Sequence, residues 1–247
     1  MAIKYKTRAI VFKKEDRNES DRDFSVFTDD FGRLNIRAKA VRKTASKLRG
    51  GIDIFSFSEI EFIQGRSQKT LTDAVTIKKF ENILSDFNKL KIVFQIADVL
   101  DNFLKGEERD KETFNLLSEV FNRLDDRLLK IKNDGLAYQY FLWNFVSLQG
   151  YKSEVNNCVA CRRKLNPYGI YFSNKEGGIV CSDCAKRKED EGLELCIKIN
   201  SDVVKILRLI FKRDWDMISR LKISQNSQKM LEDLSKNAIS AFCPAHC

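Results

Sequence analysis

Phe24-Ser-Val-Phe-Thr28, Asp29-Asp-Phe-Gly32 and Arg33-Leu-Asn-Ile-Arg-Ala-Lys-Ala40 form the stretch that decides the fold. The first run is short and apolar. The second is a turn cluster of acids and glycine. In the third, Leu34, Ile36 and Ala38 recur with period two, so the stretch reads as two strands joined in a hairpin. Working outward, Tyr5, Thr7, Ala9 and Val11 alternate with Lys6, Arg8 and Ile10 and give a strand before the hairpin. On the far side, Gly50-Gly51 breaks the chain. Ile54–Ile63 then makes a long strand, Gln64–Gln68 a turn and Lys69–Val75 a fifth strand. Five short strands with a long loop after the third fit the OB-fold plan. An SH3-like barrel fits the count nearly as well, and the OB reading is placed ahead of it.

Beyond residue 80 the period changes. Ser85-Asp86 supplies a cap and an acid for a helix carrying Phe87, Leu90, Phe94, Ala97 and Leu104. Phe114, Leu117, Phe121, Leu124 and Leu128 mark a second helix after Asp110. Leu136–Leu148 is apolar nearly all round, which predicts a buried central helix. Asn200 and Ser227 are expected to open two more. The class is therefore α+β: an N-terminal OB-fold β-barrel over 1–79, then a helical domain over 80–247 containing an inserted four-cysteine zinc module at 155–190.

That module rests on Cys158-Val-Ala-Cys161 and Cys181-Ser-Asp-Cys184, separated by 19 residues. Two such knuckles can place four thiolates tetrahedrally around one Zn2+. The role expected is structural, because four thiolates leave no position for a catalytic water. The alternative is four buried thiols or a redox pair. Arg162, Arg163 and Lys164 follow the first knuckle and can offset its negative charge or touch phosphate. Cys243, His246 and Cys247 supply three ligands at most and are read as an incidental tail. Cys196 is read as a buried thiol.

The net charge of +9 favours polyanions. Residues 1–80 carry 18 Lys and Arg against 11 Asp and Glu, so +7 of that charge lies in the first third. From Arg33 to Ile52 there are seven basic residues and no acid: Arg33, Arg37, Lys39, Arg42, Lys43, Lys47 and Arg49. A run without counter-charges, passing from strand to loop, is expected to bind DNA through its phosphates. The bland reading is a solvated strand edge. Phe27, Phe31, Phe55 and Phe57 have the period of barrel core rather than of a base-stacking surface. With 43% hydrophobic and 32% charged residues the chain is expected to fold as a soluble protein. Met1–Lys14 has no apolar secretory segment, so a reducing cytoplasmic location is expected. Phosphate-loop, zinc-protease and nucleophile-elbow motifs are absent, and the single histidine removes most acid–base schemes. Asp29-Asp30 is read as turn chemistry and Asp125-Asp126 as helix surface. No enzyme is expected. The competing readings are a zinc-ribbon nuclease and an RNA-binding factor.

In order, Arg8-Ala-Ile-Val-Phe12, Glu19-Ser-Asp21, Val26-Phe-Thr28 with Gly32-Arg33, Ala38-Lys-Ala-Val-Arg42 and Lys69-Thr-Leu71 resemble the RecO family of bacterial recombination mediators. The helical middle with a four-cysteine insert resembles that family's zinc-bearing branch. Ala40 departs from the pattern, since the family usually has glycine there. The resemblance implies binding of single- and double-stranded DNA, annealing of complementary strands, and work with RecR and the single-strand-binding protein to load recombinase near the nucleoid. Its partner's acidic, apolar C-terminal tail is expected to meet Arg123, Arg127, Lys130 and Lys132 beside the apolar 136–148 segment.

Overall fold

A computed structural model of the chain describes residues 3–104, 106–127 and 134–242. It divides into two compact units, 1–129 and 130–247, each described by itself.

In the first unit five strands close into a barrel in the order β1-β2-β3-β5-β4: β1 (Lys4–Asp16), β2 (Arg22–Thr28), β3 (Gly32–Ala38), β4 (Ser56–Gln64) and β5 (Lys69–Lys79). β1 is long enough to serve two neighbours. It pairs with β4 through Lys4–Ile10 and with β2 from Ala9 onward, with an irregularity between Val11 and Lys13. Such a bulge bends a strand as barrel closure requires. β3 closes the barrel on β5 in parallel at Ile36 and Arg37. Inward-facing Ala9, Val11, Phe24, Val26, Leu34, Ile36, Ile60, Phe62 and Leu71 fill the barrel. Ile10 and Phe12 point the other way yet are also buried, because helices of the same unit cover the barrel's outer wall.

Two strand ends differ from the periodicity for a backbone reason. Ala40 has φ +53° and Phe55 φ +51°, in the left-handed region. β3 therefore stops at Ala38 and β4 starts only at Ser56.

The barrel is joined by α1 (Glu81–Leu84), α2 (Phe87–Phe103) and α3 (Lys111–Leu124). The side chain of Asp86 caps α2 by accepting from the N–H groups of Asn88 and Lys89, and that of Asp110 caps α3 by accepting from Thr113. Aromatic rings bind the layers: Phe27 stacks on Phe114 at 6.5 Å, and Phe55 meets Phe94 edge-on at 4.9 Å. Asp125 lies buried rather than on a helix surface. Its Oδ1 accepts from the Asn82 and Ile83 N–H groups at the start of α1. This supplies the acceptor that an uncapped helix start lacks.

The second unit is built on α4 (Asp134–Leu148), which is buried from Leu136 to Val146 apart from Tyr138. Its neighbours are α6 (Ser201–Phe211), α7 (Trp215–Arg220) and α8 (Gln225–Phe242). The indole N–H of Trp143 donates to the Ser235 hydroxyl at 3.1 Å, so a polar atom on a buried helix is satisfied. The cysteine segment adds β6 (Ile170–Ser173), β7 (Gly178–Cys181), α5 (Ser182–Asp190) and β8 (Ile197–Ile199). The three strands form one sheet in the order β7-β6-β8. The folded module thus runs past residue 190 to the strand after it.

Candidate nucleic-acid interface and metal centre

The metal centre is assembled from a loop, a strand end and a helix start. Cys158 and Cys161 lie on the turn before β6, Cys181 ends β7, and Cys184 is in the first turn of α5. Their four Sγ atoms all lie within 4.8 Å of one another, and Cys161 and Cys181 are 3.9 Å apart. A tetrahedral ion held by bonds of about 2.3 Å needs sulfurs about 3.8 Å apart, so the donor set fits a metal site. The surroundings treat the four sulfurs differently, favouring the anion at Cys158 and opposing it at Cys181 and Cys184. Burial pushes the Cys158 thiol up, but the backbone N–H groups of Cys161, Cys181 and Ala160 outweigh it and bring the thiol to about 7. Burial and the neighbouring sulfurs push Cys184 up to about 12. A cation would relieve that crowding and collect all four as thiolates. No other group of three or more metal-ligating side chains is found among the described residues. Cys243, His246 and Cys247 lie outside the described residues.

The seven basic residues of the Arg33–Arg49 run separate into two sets. Arg33 is a clamp inside the first unit. It donates to the carbonyls of Asp101 (2.7 Å) and Leu104 (2.5 Å), pairs with the Asp101 carboxylate, and lies over the Phe12 ring. Its side chain is 16% exposed, which leaves little for a ligand. Arg37 pairs with both oxygens of Asp23 at 2.8 and 3.0 Å. Arg42 donates to the Asn18 carbonyl at 2.8 Å and reaches Asp16 at 3.5 Å. The run that lacks acids in sequence is thus supplied with them by the fold. Lys39, Lys43, Lys47 and Arg49 remain exposed, with no ion pair among the described residues.

These four stand on the 39–50 loop, whose start is pinned by two hydrogen bonds. The Asp21 carboxylate accepts the Ala40 N–H at 2.8 Å, and the Ser20 carbonyl accepts the Arg42 N–H at 3.0 Å. That backbone donor holds the Asp21 carboxyl below its ordinary range. Beside β2 and β3 lies a cleft of about 810 Å³, reached by Arg17, Ser25, Asn35, Arg37, Gln64 and Gln68. Its cations are matched by Glu15, Asp23, Asp101 and Glu107, so positive charge is concentrated on the loop and not in the cleft. No ring forms a flat stacking surface there: Phe27 and Phe55 are buried, and Phe31 packs edge-on against Tyr5 and Phe62.

Arg162, Arg163 and Lys164 are exposed on the first knuckle, again without an ion pair among the described residues. Arg123 is bound to Glu119 at 3.0 Å, and Arg127 approaches Asn82 Oδ1 at 3.4 Å. Lys130 and Lys132 lie outside the described residues. Sequence reasoning passed over one apolar cleft of about 280 Å³, lined by Ile206, Leu209, Leu221 and Ile223 with Lys205 and Lys222 at its rim. The lone signal for it is the apolar–basic alternation at Leu221-Lys222-Ile223.

Two family patterns match nearly the whole chain. The one described as Recombination protein O N terminal covers residues 1–80, and the one described as Recombination protein O C terminal covers 84–241. A DNA repair protein RecO from one strain of Dehalococcoides mccartyi is 35% identical over 228 residues, 92% of this chain and 86% of that relative. Those of Desulforamulus reducens and Alkaliphilus metalliredigens are 25% and 26% identical, over 96% and 95% of this chain and 89% and 92% of their own length.

Proposed function

This chain belongs to the RecO family of DNA repair proteins, and from that premise we propose that it is a recombination mediator performing no covalent chemistry. The N-terminal barrel is read as an OB-fold, whose strand order and parallel β3–β5 closure support it. It binds single- and double-stranded DNA through phosphates. The observation that carries this is the exposed 39–50 loop, whose Lys39, Lys43, Lys47 and Arg49 are in no ion pair among the described residues. Phosphate contacts carry no base information, so bases stay free to pair. Lowered repulsion between two polyanions is what annealing requires. The four-cysteine ion is Zn2+ in a closed structural site, chosen for its preference for thiolate tetrahedra.

The working location is the cytoplasm, at the nucleoid. The partners are RecR and the single-strand-binding protein, with recombinase loading as the outcome. A carboxylate-terminated apolar tail needs a cationic rim and an apolar floor. Arg123 and Arg127 are already engaged; the cleft floored by Ile206, Leu209, Leu221 and Ile223 offers the apolar floor, with Lys222 as its rim cation outside an ion pair among the described residues, since Lys205 is paired with Asp202 at 3.0 Å.

The test is annealing of two labelled complementary strands, bare and coated with single-strand-binding protein. Wild type is expected to anneal both. If the four loop cations neutralise phosphates, they contribute about −3 to the slope of log K against log salt for single strands. Reversing Lys39, Lys43, Lys47 and Arg49 to Glu should remove that contribution and weaken binding to every sequence alike. Unchanged affinity would refute the loop as the contact. Preference for RNA in competition, or magnesium-dependent loss of DNA, would refute the mediator reading.

A further inference from the structure

Two aromatic rings are more than four-fifths exposed among the described residues, Phe87 at 81% and Tyr168 at 83%. Their settings differ. Phe87 opens α2 directly after the capping carboxylate of Asp86, beside which no phosphate would settle. Tyr168 is in the second unit, on the loop from the first cysteine knuckle to β6, four residues after the exposed cations Arg162, Arg163 and Lys164.

The loop is stiff at both ends. At its start Arg162 N–H donates to the Cys158 carbonyl at 2.8 Å, and Cys158 N–H donates to the Arg163 carbonyl at 2.9 Å. At its end Tyr168 N–H donates to Asn166 Oδ1 at 3.1 Å across Pro167, and Leu165 packs on the cysteine cluster. Tyr168 is thus presented on a side-chain-closed turn, where little ordering remains to be done on binding. Arg162 has φ +63°, a conformation in which glycine would be more stable.

We propose that the Arg162–Tyr168 loop is a second nucleic-acid site that takes a single strand, with Tyr168 stacking on one base while Arg162, Arg163 and Lys164 hold the adjoining phosphates. A planar ring beside cations is the chemistry an unpaired nucleotide needs. A duplex keeps its bases stacked inside and offers the ring nothing. The inference deepens the DNA reading above: the barrel loop takes phosphates of either form, and this loop distinguishes them.

The experiment uses the full chain with oligo(dT) and with a duplex of equal length. Stacking on one base is worth about 5- to 150-fold in affinity. Tyr168→Ala is expected to lose roughly tenfold for oligo(dT), with duplex affinity and metal content unchanged, and Tyr168→Phe to retain it. Replacing Arg162, Arg163 and Lys164 by Ala should lower the single-strand salt slope by about 2. Arg162→Gly should raise the melting temperature while weakening oligo(dT) binding, opposite signs that a purely structural arginine would not give. Wild-type oligo(dT) affinity in Tyr168→Ala, or equal losses for both DNA forms, overturns this site and leaves the barrel reading standing. Failure of the wild type to bind either form overturns both.

Discussion

The barrel and the cysteine module reach stability by opposite routes. The barrel buries a cluster of aliphatic and aromatic side chains from all five strands, with further rings packed between it and the helices. The module's own cluster is two buried cysteines, Val180 and Ala185, with partly buried neighbours. The module's sheet also buries Ile170, Phe172 and Ile179, with Phe172 meeting the Trp143 ring edge-on, so the cysteine cluster is its part with the least apolar burial. Cations divide differently. The fold draws acids onto Arg33 and Arg37 of the barrel, whereas Arg49 on the barrel loop and Arg162, Arg163 and Lys164 on the module face solvent without an ion pair among the described residues. A core made of side chains tolerates loss of a surface group; a module that relied on a metal held by its four cysteines would not tolerate loss of that metal.

The largest expected effect breaks that comparison at the ion. A structural zinc in a small module couples about 10–16 kcal/mol to folding. Cys181→Ser, or chelation of the wild type, should leave the 155–199 segment open to limited proteolysis while the barrel survives as a resistant fragment. Equal resistance of the module in mutant and wild type would show that apolar packing suffices.

A smaller effect is expected at Arg33. Arg33→Ala removes a donor from two carbonyls and from the Asp101 carboxylate, which keeps Lys13 at 2.9 Å, at a cost of about 2–3 kcal/mol. Denaturant unfolding should register the loss, and DNA affinity should stay within about twofold, since one of many phosphate contacts at most is involved. A large affinity loss at unchanged stability would return Arg33 to the DNA surface.

The smallest effect sharpens the comparison at Ala40. An L-residue in the left-handed region costs about 1–2 kcal/mol, part of which glycine returns through its freer unfolded chain. Ala40→Gly should therefore stabilise the barrel by about 1 kcal/mol in denaturant unfolding. A destabilisation would mean that the alanine methyl packs usefully at the loop start.

Much of this was readable from the residues alone. Period two located β1 and β3 and apolar runs between turns the other three strands; Asn200 announced its helix because a capping side chain acts on backbone two or three residues away, whereas the cap of α2 is Asp86 and not Ser85 before it. The knuckle spacing located the metal centre for the same local reason. What escaped was either short or distant. The one-turn helix after Phe80 is held by Asp125, and Arg33 by Asp101, 68 residues on, so neither partner is visible in a window of neighbours. α5 and α7 were passed over although Asp214 caps the latter, because a six-residue helix hardly establishes a period. β8 has only three residues and is defined by its register on β6.

Gly32 carries a consequence for how this chain can be divided. A methyl group there would fall 2.0 Å from the Glu108 carbonyl oxygen, because the β2–β3 turn is pressed onto the segment before α3. The Arg33 clamp, the pairing of Lys69 with Glu107 and the contact of Arg109 with the Asp29 carbonyl cross the same boundary. The border between the two family patterns, at residues 80 to 84, therefore cuts through a tightly fitted seam. Swapping the first eighty residues between relatives would transplant one half of that seam onto a mismatched other half. The segment matched by the N-terminal family pattern is smaller than the piece whose parts are fitted together.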